Sequence, residues 1–215
     1  MKSTNTLSRE RLEQQDKMQS YYEFQSKIYD LTRWAFLFGR SEILHHISFT
    51  PQSNFQLMEI GCGTGANLTT LAKKFPQSEL TGVDVSKEMI GIAQKKLDKT
   101  NVKCHFFNEP YGPHAHFIAP PQDIILCSYS LSMINPQWPD LIDKAYTDLK
   151  IGGKIMVVDF FNSQFSFFKN HMSNHHVKMD GHILPKLKKV FKTDASFVKS
   201  AYGGLWEYFM FVGSK

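Results

Sequence analysis

The 215-residue chain predicts an α/β fold: a seven-stranded, mostly parallel sheet with helices on both faces, a C-terminal antiparallel hairpin and an N-terminal helical lid. Three observations lead there. From Gln56 onward, short apolar runs alternate with segments of helical period, the pattern of βαβ units in a parallel sheet. The first apolar run ends in a glycine cluster, Gly61-Cys62-Gly63-Thr64-Gly65. Near the C-terminus two strand-like runs flank Gly203-Gly204, a hairpin signal rather than another crossover.

Taken in order, Gln56–Ile60 is the first strand, and Leu68, Leu71, Ala72 and Phe75 then mark one buried helix face at i, i+3, i+4, i+7. Leu80–Asp84 is the second strand. Ser86 caps the next helix, with Glu88 in its first turn, where the helix dipole favours an acid. Met89, Ile90, Ala93 and Leu97 give that helix its inner face. Val102–Phe107 and Asp123–Ser128 read as the third and fourth strands. The stretch Glu109–Gln122 between them holds four prolines and is too broken for a full helix. Pro139 opens a helix with Leu141, Ile142, Ala145 and Leu149 inward, ended by Gly152-Gly153. Ile155–Phe160 is the fifth strand, and Ser196–Tyr202 with Trp206–Gly213 forms the hairpin. Residues 1–50 are assigned to the lid, helical from about residue 8, and 51–215 to the main domain.

Composition narrows the class. Hydrophobic residues make up 42% and charged residues 21%, which excludes a disordered chain or a coiled coil. No apolar run approaches the ~20 residues of a membrane span. MKSTNTLSRERLEQQDK has no apolar core and predicts no cleaved secretory signal. Cys62, Cys104 and Cys127 are too few and too isolated for a disulfide or zinc framework, so a reducing cytoplasm is the expected location. Each sits on or beside a predicted strand, as a small core residue does. The +5 charge is uneven: residues 151–215 carry 9 basic against 4 acidic groups, the whole excess. That end is Lys-only around Lys186, Lys188, Lys189 and Lys192, without the Arg and stacking aromatics of a nucleic-acid surface, so no nucleic acid is expected.

The segment Glu59-Ile60-Gly61-Cys62-Gly63-Thr64-Gly65-Ala66 lies at a strand-to-helix turn, where glycines let backbone approach a ligand closely. Gly61-x-Gly63-x-x-Ala66 alone also satisfies a relaxed dinucleotide fingerprint, and Asp84 suits a ribose diol in either case. Glu59 separates the two. A carboxylate two residues before the loop opposes a pyrophosphate, but favours the ammonium and sulfonium of S-adenosylmethionine.

On these residues the chain resembles the class I S-adenosylmethionine-dependent methyltransferases, over about residues 20–215, with their Rossmann-like seven-stranded sheet. The resemblance implies that Gly61, Cys62 and Gly63 face the cofactor, that Glu59 orients its amino-acid end, and that Asp84 takes the ribose hydroxyls. Val85 and Met89 would pack on the adenine, and Ser128 would line the reaction centre. Asn108 stands where the family usually has an acid and would reach the adenine amine through its amide oxygen. Tyr29 and Arg40, from the lid, complete the implied cofactor set.

Three further stretches look like the bacterial betaine-lipid methyltransferases: Lys27-Ile28-Tyr29-Asp30 with Gly39-Arg40, Ser128-Tyr129-Ser130-Leu131-Ser132-Met133-Ile134, and Val157-Val158-Asp159-Phe160. That family trimethylates the homoserine amine of a diacylglyceryl headgroup. Phosphatidylethanolamine and quinone-precursor methyltransferases share the lid pattern, and a catalytically silent cofactor-binding protein is the alternative outside enzymes. The reaction implied is an in-line attack by a neutral amine on the sulfonium methyl, so the enzyme's tasks are orientation and desolvation. Tyr129, Tyr29 and Tyr22 are the candidates to surround the growing cation, each aromatic face being worth ~0.5–2 kcal/mol. Packing of the lid, with hydroxyls capped by backbone, is the other reading of these tyrosines.

A diacyl substrate implies contact with an anionic membrane surface, and an upstream lipid-synthesis enzyme to supply it. Trp34–Phe38, flanked by Arg33 and Arg40, and the five phenylalanines within Phe160–Phe168, followed by Lys169, have the makeup of an interfacial surface. Ordinary core packing is the alternative for both. His171, His175, His176 and His182 crowd one segment, but no carboxylate or Cys accompanies them and no metal is expected. For His175 and His176, headgroup binding stands beside plain packing.

Overall fold

The structure is a computed structural model that describes residues 37–215. A short helix, α1 (Arg40–Ile43), and a 3-10 turn at Leu44–His46 lead into β1 (Gln56–Ile60). Then follow α2 (Ala66–Lys74), β2 (Glu79–Val83), α3 (Lys87–Leu97), β3 (Lys103–Phe107), β4 (Gln122–Ser128), α4 (Trp138–Asp148) and β5 (Leu149–Asn162). The chain ends with α5 (Ser166–Asn174), α6 (Ile183–Val190), β6 (Lys192–Ala201) and β7 (Trp206–Ser214). The seven strands form one sheet in the order β3-β2-β1-β4-β5-β7-β6. Strands β1 to β5 pair in parallel, and β7 runs antiparallel between β5 and β6.

Alternation along the strands divides the core. Leu57, Ile124, Leu126, Met156 and Val158 face one side, under α2, α3 and α5, while Met58, Ile125, Ile155 and Val157 face the other, under α4 and α6. Strand order reverses between β1 and β4, and in an open α/β sheet the crevice at that switch, beyond the carboxyl ends of the strands, is where ligands bind.

The sequence-predicted strands and the cap at Ser86 recur; the Ser86 hydroxyl accepts from the Met89 N–H at 3.3 Å. The helix expected to run to Gly152-Gly153 is shorter. It ends at Asp148, and Leu149, already in β5, pairs with Gln122 of β4. The ladder then resumes at Lys154 opposite Ile124. Gly152, at φ +76, makes the turn of this bulge, so the glycines shape a strand irregularity rather than a helix end. The two helices between β5 and β6 were not anticipated: α5 buries only Phe168, and α6 is a short segment that buries Ile183, Leu184 and Leu187.

Of the proposed lid only residues 37–50 are described. Ile43, Leu44 and Ile47 pack into the core, where the helix Arg40–Ile43 meets β5. Tyr22, Tyr29 and Trp34 lie outside the described residues.

Candidate active site

Three left-handed glycines build the loop after β1: Gly61 at φ +70, Gly63 at +53 and Gly65 at +71. A Cβ on Gly61 would stand 2.6 Å from the Cβ of Ser130, and one on Gly65 2.9 Å from that of Ala93. Gly61 is therefore the contact between the loop and the turn beyond β4, and Gly65 the contact between α2 and α3. The Gly61 and Cys62 N–H groups both donate to the Val83 carbonyl, at 2.8 and 3.1 Å, which pins the loop to the end of β2. Cys62 turns its side chain into the core, 1% exposed, so only its backbone belongs to the loop surface.

Glu59, on β1, is 2% exposed. Its Oε1 accepts from Asn67 Nδ2 at 2.6 Å, and Asn67 Oδ1 accepts in turn from an Arg40 Nη2 at 3.1 Å. The expected members Glu59 and Arg40 are thus joined through a residue that sequence reasoning missed. Asn67 sits in the first turn of α2 between Ala66 and Leu68; a polar residue buried next to the loop was its only signal.

Asp84 follows β2 and spans the loop. Its Oδ2 accepts from the Gly63 N–H at 2.8 Å and its Oδ1 from the Ser86 N–H at 2.9 Å. Asn108, beyond β3, donates its amide nitrogen to the Asp84 and Val85 carbonyls, at 3.1 and 2.9 Å. Both partners are acceptors, so the amide orientation is fixed and Oδ1 is the end left to accept from a ligand. Met89, 2% exposed, and Val85 stand beside this pair.

At the end of β4, Ser128 is 7% exposed and its hydroxyl has no hydrogen-bond partner. Tyr129 departs from the expectation of an open aromatic face. It is 3% exposed, adopts φ +56, donates its hydroxyl to the Phe38 carbonyl at 2.8 Å and meets Phe160 edge to face at 4.7 Å. Burial pushes its phenol well above the usual range. These contacts match the packing reading: Tyr129 holds the chain entering α1 against the sheet. Burial likewise raises the Cys127 thiol, and none of the three cysteines is paired.

On the same sheet end, beyond β5, the phenylalanine run divides. Phe160 and Phe168 are buried, whereas Phe165 and Phe167 are 45% and 65% exposed. Phe168 stacks on Trp206 at 5.4 Å, and Phe38, Tyr202 and Trp206 form an aromatic cluster with ring centroids 4.9–6.1 Å apart. The Ser163 hydroxyl donates to the Leu205 carbonyl at 2.6 Å and accepts from the Phe165 N–H at 3.1 Å, tying the start of α5 to the hairpin turn. His171 and His175 have ring centroids 4.8 Å apart. Among the described residues no group of three or more His, Cys, Asp or Glu is placed to hold a metal ion, and no helix is long and apolar enough to cross a membrane.

A ligand with a ribose diol, an ammonium and an adenine fits this set of acceptors: Asp84 on the loop, Glu59 at its base, the amide oxygen of Asn108 and the Ser128 hydroxyl, which is without a hydrogen-bond partner. Residues 58–155 match the family model described as "Methyltransferase domain". The chain is 30% identical over 106 residues to a carboxy-S-adenosyl-L-methionine synthase of Campylobacter lari, covering 49% of this chain and 44% of that protein. It is 29% identical over 147 residues to a malonyl-[acyl-carrier protein] O-methyltransferase of Priestia megaterium, covering 65% and 50%. The chain spans about half the length of these curated relatives. Among solved structures it resembles phospholethanolamine N-methyltransferase 2 of Haemonchus contortus, in complex with phosphomonomethylethanolamine and S-adenosylhomocysteine. There the TM-score is 0.66 at 17% identity, over 82% of this chain and 52% of that one, a likeness of fold. The stretch that holds the glycine loop, β4 and the crevice between β1 and β4 is thus similar to a methyltransferase domain.

Proposed function

We propose that the protein methylates the amine of a lipid headgroup, with diacylglyceryl-homoserine, carried to its trimethyl betaine, as the leading acceptor. The observation that supports this reading is the exposed pair Phe165 and Phe167, with Tyr202 at 54% exposure, on the sheet end that also carries the glycine loop. β5 runs parallel to β1 and β4, so its end at Asn162 lies on the side of Gly61 and Ser128, and β7 begins there with Trp206. Aromatics exposed beside Lys169, at the mouth of a crevice, suit docking on an anionic bilayer and entry of a headgroup from it.

S-adenosylmethionine, when bound, supplies an electrophilic methyl. The chain's share is to orient and to exclude water. Glu59, held by Asn67 and Arg40, favours the cationic end of the cofactor. The Ser128 hydroxyl, buried and unpartnered, is placed to accept from or donate to the acceptor amine. Bulk water takes the proton that the amine must lose, and no dedicated base is needed. Residues 1–50, as a lid, and an upstream enzyme that makes the lipid belong to the same proposal.

Mass spectrometry of lipids methylated from labelled cofactor tests the reading. A trimethylated betaine lipid is expected. Methylated phosphatidylethanolamine or quinone would move the acceptor to those classes. Label on an acyl-carrier-linked carboxylate would instead align the chain with its Priestia relative. Absence of S-adenosylhomocysteine binding in calorimetry would refute the enzyme reading, and binding with no methylated product would leave a catalytically silent cofactor-binding protein.

A further inference from the structure

We infer that Asp159 is a positioning residue for the cofactor site: its buried carboxylate clamps the turn beyond β4, and through it the glycine loop. Asp159 is fully buried on β5. Its Oδ2 accepts from the Ser132 N–H at 3.0 Å, and its Oδ1 from the Phe160 N–H at 2.8 Å. Ser132 belongs to the 3-10 turn Leu131–Met133, which Ser130 directly precedes, and Ser130 is the residue that fills the space over Gly61. On its other side the Ser132 carbonyl accepts from Asn135 Nδ2 at 2.7 Å and from the Lys178 N–H at 3.1 Å. One carboxylate therefore fixes a turn that touches the cofactor loop at one edge and the segment after His176 at the other. A carboxylate is suited to this because both oxygens accept. A neutral acid must turn one oxygen into a donor, and one of the two N–H groups then loses its partner.

Burial pushes the Asp159 carboxyl up to about 6, against hydrogen bonds from Ser132, Phe160 and Leu131 that lower it. The titratable groups that sense its charge are Cys127 on β4 and Tyr129 beyond it, both held neutral through this range by burial. On β7 it faces Phe209. Near α6, burial lowers the His182 imidazole, and the Lys178 ammonium pairs with Asp180 at 3.2 Å. The clamp is thus ionised at neutral pH and released by acid, as the carboxyl gains its proton.

The inference rests on cofactor binding and not on which acceptor is methylated, so the probe is S-adenosylhomocysteine, measured by calorimetry from about pH 8 to about pH 5. Wild type should weaken about tenfold across that range, the worth of one charge-assisted hydrogen bond. Asp159→Asn should be about tenfold weaker already at pH 8 and nearly flat thereafter. Wild-type affinity that does not change with pH, or an Asp159→Asn curve that overlays or parallels the wild type, overturns the inference. The wild-type titration needs no substitution, so the test survives a variant that fails to fold. A residue that merely stabilised the fold would lower the melting temperature of the variant while leaving both pH curves parallel.

Discussion

Residues 51–150 and 151–215 meet the same crevice with different chemistry. The first region is nearly neutral, with 9 basic and 10 acidic residues, and spends its polar groups on fixed hydrogen bonds: Asp84 on two backbone N–H groups, Asn108 on two backbone carbonyls, and Asn67 on the Glu59 and Arg40 side chains. The second region carries the excess lysines and sets aromatic rings at the surface. A cofactor of fixed shape is recognised by fixed hydrogen bonds, whereas a surface that meets a bilayer needs apolar area and positive charge without a set geometry. Substitutions at the glycine loop and Asp84 should therefore weaken cofactor binding and spare the proposed membrane binding, and substitutions at the exposed rings of the second region should do the reverse.

The sharpest break is Asp84→Ala. It removes the contact that closes the loop on Ser86 and the acceptor expected to take the ribose diol. Affinity for S-adenosylhomocysteine should fall about a hundredfold, as for two charge-assisted hydrogen bonds. Calorimetry reads this directly; unchanged affinity would mean that the ribose lies elsewhere. Gly61→Ala comes next. Its φ of +70 and the 2.6 Å approach to Ser130 both oppose a side chain, so stability should fall by about 2 kcal/mol in denaturant unfolding. A variant as stable as wild type would show that Ser130 moves aside freely.

On the other side of the comparison, Phe165→Ser with Phe167→Ser should lower co-sedimentation with anionic liposomes about tenfold, because two exposed rings no longer insert. The melting temperature and cofactor affinity should stay as they are, since both rings face solvent. Equal binding of wild type to neutral and anionic vesicles, or to neither, would sink the proposed docking surface. Phe168 is not part of this test, being buried against Trp206.

The two regions also differed in how far they could be read in advance. In the first, period-2 and period-3.6 patterns are clean and glycines mark the left-handed turn after β1, so the strands and helices could be read ahead of the structure. What escaped, in both regions, was tertiary: Asn67 and Asp159 are short polar residues whose roles depend on neighbours 27 positions away in sequence, Arg40 and Ser132. In the second region α5 mixes its few apolar residues with Lys169, Asn170 and His171, while the short period Ile183, Leu184, Leu187 and Val190 of α6 went unread. A run of five phenylalanines likewise carries no sign of which rings a helix turns inward.

Tyr129→Phe has the smallest expected effect and separates two roles for the residue that joins both regions. The ring stays, with its edge-to-face contact to Phe160, and only the bond from the hydroxyl to the Phe38 carbonyl is lost. That carbonyl lies where the chain enters α1, three residues after Ala35 and two before Arg40, whose guanidinium reaches Asn67. If Tyr129 is a clamp, stability should drop by about 1 kcal/mol, the net worth of a buried hydrogen bond, with cofactor affinity shifted by less than about threefold. If it instead faced the substrate cation, the phenyl ring would serve nearly as well as the phenol, and stability would be unchanged. Chemical unfolding of the two proteins side by side decides between them. A variant with wild-type stability would return Tyr129 to the acceptor side of the crevice.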